Sequence, residues 1–99
     1  MSERVEAASL ESKVKALAET HIPAMTRFGR FAEHALSGAE VFAIFGPVVH
    51  DRQAYVLITV TASEQAASRD LDAMLLAKVR TANLVMINSL REAGLEIAA

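Results

Sequence analysis

The chain's 99 residues carry 10 Lys+Arg against 12 Asp+Glu, with 53% hydrophobic and 22% charged side chains, which makes one domain of formal net charge −2. That balance excludes a disordered chain, and 4 Gly with 2 Pro exclude a collagen-like or low-complexity one. The absence of cysteine removes disulfide scaffolds, thiolate zinc sites and cysteine nucleophiles.

In chain order, the first periodic segment is Leu10, Val14, Leu17 and Ala18, with Glu11 and Lys15 placed as an i,i+4 surface pair. Residues 1–9 precede this stripe and are left open to disorder. Pro23 removes a helical N–H and disfavours helix at Ile22, so a break is expected near residues 21–23. Met25, Phe28, Ala32, Ala35 and Leu36 then resume helical spacing, widened by Phe31, up to Ser37, with Gly38 as a left-handed cap. The reading is thus a helix over 10–37, broken near 21–23.

Val41-Phe42-Ala43-Ile44-Phe45 is short, apolar on both faces and rich in strand formers. Gly46-Pro47 punctuates it, and Val48 and Val49 continue it past a bulge. The polar run His50-Asp51-Arg52-Gln53 makes a turn, and Ala54 to Thr61 forms a second strand. Together they predict a hairpin over 41–61. Thr61-Ala62-Ser63-Glu64 has capping-box spacing, with Ser63 and Ser68 as alternative caps, so a long helix is expected over about 64–93, closed by Gly94. Its main face is Leu71, Leu75, Val79, Ala82, Met86 and Leu90. A second apolar row, Leu76, Leu84 and Ile87, makes the stripe wider than a helix with a single buried face needs.

Two arguments point to association. A folded chain of this mass exposes on the order of 5,500 Å² and cannot hide so high an apolar fraction alone. Two strands in isolation are also marginal in water, and pairing across a dimer removes an apolar edge. A homodimer is therefore favoured. The negative net charge gives no reason to expect nucleic acid, residues 1–20 lack the apolar core of a secretory signal, and the stretch 71–90 is too broken by polar residues to span a membrane. A cytoplasmic address is the default expectation.

The motifs that carry chemistry have plain structural readings. His21, His34 and His50 match no zinc spacing, so no metal site is expected. His50-Asp51 reads as turn chemistry, because nothing places a serine or threonine nucleophile beside it. Arg27, Arg30 and His34, at i, i+3 and i+7, read as one solvated helix face. Gly46-Pro47 is not a phosphate loop, since proline lacks the binding N–H. Asn83 and Asn88 sit inside the most apolar helix, where a buried amide is able to fix the register of a helix pair. Asp70 and Asp72 suit the positive end of the helix that follows them.

The succession of strand, strand and long helix, ending in Arg91-Glu92-Ala93-Gly94-Leu95-Glu96-Ile97, resembles the C-terminal cytoplasmic α+β domain of small-conductance mechanosensitive channels over residues 40–97. The Pro-Phe-Pro ending and any pore helix are missing, so the resemblance implies a detached assembly domain, without catalytic residues. The element order and size also resemble roadblock-type dimeric regulators of small GTPases, which usually have a further strand.

The expected fold is α+β and two-layer: an antiparallel β-hairpin packed against helices in the order α-α-β-β-α, its sheet extended across a dimer. The expected function is non-catalytic, an oligomerisation or partner-binding module with no cofactor. Val41, Phe42, Ile44 and Phe45 form one candidate interface, and Leu76, Leu84 and Ile87 the other. The alternative is a ligand-binding protein or enzyme with a pocket between subunits, for which Arg27, Arg30, His50 and Tyr55 are the polar groups to look for. Their convergence in one apolar cavity would favour the pocket, and their dispersal the interaction module.

Overall fold

Leu10, Val14, Ala18 and Ile22 recur every four residues and are all buried, and this stripe drives the first helix against the core. The computed structural model describes residues 2–30, 38–67 and 69–95. Helix α1 is Ser2–His21 and starts well before the first apolar stripe residue, so residues 2–9, left open to disorder above, are helical. It ends where expected, two residues before Pro23, and the Ile22 and Met25 amides close the turn on Ala18 and Ile22 carbonyls at 2.8 and 3.0 Å.

The next element corrects the sequence reading. Arg27–Arg30 is a strand, β1, where the second half of a broken helix was expected. Gly29 weakens a helix here, and pairing with β2, from Arg27 opposite Phe45 to Arg30 opposite Phe42, fixes the four residues as a strand. Phe28 turns to the core and stacks on Phe42 with centroids 5.7 Å apart. The expected continuation to Ser37, including His34, lies outside the described residues.

Strands β2 (Glu40–Val49) and β3 (Arg52–Val60) make the predicted hairpin. The sheet is an antiparallel meander in the order β1-β2-β3, with Phe28 opposite Ile44 and Phe42 opposite Ile58. The register shifts between Phe45 and Val48, so the expected bulge at Gly46-Pro47 is present. A Cβ at Gly46 would sit 2.7 Å from the Met86 sulfur, so any larger residue there requires the Met86 side chain to shift. His50 and Asp51 turn the chain with φ of 50° and 63°, the two left-handed residues of a type I′ hairpin.

The long C-terminal helix is divided. A short α2, Ala62–Ala67, precedes α3, Leu71–Glu92. The capping box opens α2, with the Thr61 amide donating to Glu64 Oε1 at 2.9 Å and the Glu64 amide to Thr61 Oγ1 at 3.1 Å. Asp70, one of the two aspartates assigned to a helix start, caps α3 through the Ala73 amide at 3.0 Å. Gly94, at φ 98°, ends α3, and the amides of Gly94 and Leu95 return to the carbonyls of Arg91 and Leu90 in a Schellman closure.

Leu75, Val79, Ala82, Met86 and Leu90 form the buried face of α3. They meet the α1 stripe and the inward-facing Phe42, Ile44, Val56, Ile58 and Val60 in one core. Each large side chain buried there contributes roughly 1.5–3 kcal/mol. Among the described residues the fold is a small mixed α+β domain with three antiparallel strands rather than two, in the order α-β-β-β-α-α.

Candidate interaction site

A three-stranded meander has two edge strands and one central strand, and this decides which apolar residues are available to a partner. Strand β2 is central, paired on both sides, so Val41, Phe42 and Ile44 have no free edge and are buried in the single chain. The expectation that they form a docking surface assumed a two-stranded sheet, and β1 removes that assumption. Phe45 is half-buried, with the Arg27 guanidinium 4.3 Å above its ring.

Strand β3 is the edge that lies beside α3. Antiparallel pairing alternates, so each residue points its N–H and C=O to one neighbour or the other. The Phe45 carbonyl accepts from the Thr26 amide at 2.7 Å, on the β1 side. Its cross-strand partner Tyr55 therefore turns its backbone groups away from β2, and Leu57 and Thr59 follow in the same phase. The Thr59 carbonyl confirms that phase, because it accepts from Lys78 Nζ of α3 at 2.9 Å.

Between this edge and α3 runs a groove of about 640 Å³. Its strand side is Tyr55 to Thr59 and its helix side Ala77, Lys78, Thr81, Ala82 and Val85. The surroundings are apolar: Tyr55 is 57% exposed, Leu57 48%, Leu84 62% and Val85 49%. Lys78 closes one end, pairing with Glu64 at 2.9 Å. The Glu64 carboxyl is held below its usual range, first by the Thr61 backbone amide and then by Lys78. Its contribution to stability is therefore present above the unfolded value near 4.5 and is lost as pH falls through the lower folded value. Thermal melts of the parent and a Glu64→Gln chain should differ at pH 7 and converge as pH falls below the lowered folded value. A difference that persists at low pH would assign the effect to something other than the ionised carboxylate.

The second expected surface is divided by the same helix. Leu84 is exposed on the side of α3 away from the core, while Leu76 and Ile87 are half-buried on the flank opposite the groove. Asn83 lies on that flank with its Oδ1 buried and without a donor among the described residues, whereas Asn88 is exposed.

The four polar groups do not converge. His50 and Tyr55 line a groove of about 580 Å³ at the hairpin end, with Arg52, Gln53, Ser89 and Glu92. Arg27 and Arg30 are on β1, at the other edge of the sheet. Three residues apart on a strand, they point to opposite faces, so the single helix face expected for them does not form. Arg30 is spent on Glu40, with Nη2 2.7 Å from the carboxylate. Among the described residues no group of three or more His, Asp or Glu is placed to hold a metal, and no helix is long and apolar enough to cross a membrane.

Sequence reading named Tyr55 only as a possible pocket residue and missed Leu57, Ala77, Thr81 and Val85 as surface residues. The available signal was the alternation of Tyr55, Leu57 and Thr59 with the buried Val56, Ile58 and Val60, which marks a strand with one face outward. No family model, no curated protein and no solved structure matches the chain.

Proposed function

We propose that the chain is a non-catalytic association module that docks through the edge of β3 and the adjoining flank of α3. The observation that carries this reading is an unpaired strand edge beside an exposed apolar helix flank. An edge of this kind is a template for pairing with another chain, and among the described residues one lysine guards it. The dispersal of Arg27, Arg30, His50 and Tyr55 favours the same reading over a ligand pocket built from those four groups.

Light scattering across a dilution series tests it. A mass above that of one chain is expected, and Val85→Glu, which puts a charge into the groove at a half-exposed position, should return it to that of a monomer. Val48→Glu, exposed beyond the bulge and outside the groove, should leave the mass unchanged. A parent chain that stays monomeric at high concentration would defeat self-association.

A further inference from the structure

We propose that a second copy of this chain occupies the β3–α3 groove across a two-fold axis passing between the two copies of Leu57 and beside Thr81, so that the sheet continues as six antiparallel strands. This rests on the self-association reading and adds its geometry. Those two residues are the midpoints of the groove's two sides, though Lys78 and Ala82 line the helix side without counterparts across Thr81. Its strand side runs from Tyr55 to Thr59, centred on Leu57, and its helix side from Ala77 to Val85, centred on Thr81. The two sides have nearly the same length, ~13 Å of strand and ~12 Å of helix, so one axis serves both.

The axis satisfies the backbone. Tyr55, Leu57 and Thr59 present their N–H and C=O groups outward. Rotation about Leu57 sets it opposite the partner's Leu57 and sets Tyr55 opposite the partner's Thr59, so each outward donor meets an outward acceptor. Side-chain sizes agree as well. Ala77 faces the partner's Val85, a small residue against a larger one, and Thr81 faces itself. Among the groove residues no pair brings like charges together.

One residue opposes the arrangement. Lys78 occupies the Thr59 carbonyl that the partner's Tyr55 amide would use. Glu64 gives its ammonium an alternative resting place, so Lys78 is a guard that gives way without losing its ion pair. Lys78→Ala should therefore tighten the dimer several-fold.

The chain has no cysteine, so one introduced thiol reports one position. Facing residues in a hydrogen-bonded antiparallel pair have Cα atoms ~5.5 Å apart, inside the range a disulfide spans. Under mild oxidation Leu57→Cys chains should form covalent dimers. Thr59→Cys chains alone should not, but should cross-link when mixed with Tyr55→Cys chains. A Leu57→Cys chain that is dimeric by light scattering yet fails to cross-link would overturn the two-fold register while leaving self-association intact. Efficient cross-linking of Thr59→Cys alone would overturn it likewise. A monomer by light scattering would remove both.

Discussion

Phe42→Ala should cost the chain about 3–5 kcal/mol, the usual penalty for deleting a buried aromatic ring and leaving its cavity. Phe42 is 0% exposed, lies on the central strand and stacks on Phe28 from β1, so its ring joins two strands and the helices that cover them. A domain of this size holds roughly 5–15 kcal/mol in total, and small ones sit at the low end. The variant should lose a third or more of its stability, seen as a fall of more than ~12 °C in the thermal midpoint. Val48→Ala, at an exposed position on the same strand beyond the bulge and outside the groove, should change stability by no more than ~0.5 kcal/mol. Equal midpoints for the two would mean that Phe42 does not sit at the centre of the core.

Two proline substitutions, one residue apart, should separate folding from association. Val56 is buried and turns its backbone groups towards Ile44, its partner on β2, so Val56→Pro removes a ladder bond and orphans a buried carbonyl. That orphan alone costs about 1–3 kcal/mol, and the ring's misfit in a packed strand adds to it. Circular dichroism should show a chain that is unfolded or strongly destabilised. Leu57 turns its N–H to the open edge, where proline is tolerated, so Leu57→Pro should keep the fold and lose the dimer. If Leu57→Pro unfolds the chain as Val56→Pro does, the assignment of β3 as an open edge is wrong.

How far the sequence could be read depended on how much of each element's pattern was local. The stripe from Leu10 to Ala18, the hairpin with its bulge, and the buried face from Leu75 to Leu90 are all present, because each repeats its period over several turns or along a whole strand. Strand β1 was missed because four residues contain too little of any period. Met25 and Phe28 fit helical spacing, and it is pairing with β2 that makes Phe28 part of a strand. The division of the last helix turned on Asp70, whose capping bond depends on the chain's path after α2 and not on its neighbours' propensities. The same missing strand misplaced the surface. With two strands, Val41–Phe45 would have had an edge. With three, that stretch is the centre of the sheet and the edge passes to β3. Nothing in the apolar character of Phe42 or Ile44 distinguishes a docking surface from a core, since both demand the same residues.

The packing of α1 against α3 brings together the two most distant elements of the domain, and an ion pair from Lys13 to Asp72 spans the same gap at 3.0 Å. Seen in time rather than in space, this imposes a wait. The three strands are consecutive, so each closes on its neighbour as it emerges from the ribosome. Helix α1 comes first but lacks its helical partner until Leu90 has been added, which at ribosomal speed takes on the order of ten seconds after Ile22. Through that interval Leu10, Val14, Ala18 and Ile22 present their apolar stripe to whatever the nascent chain meets.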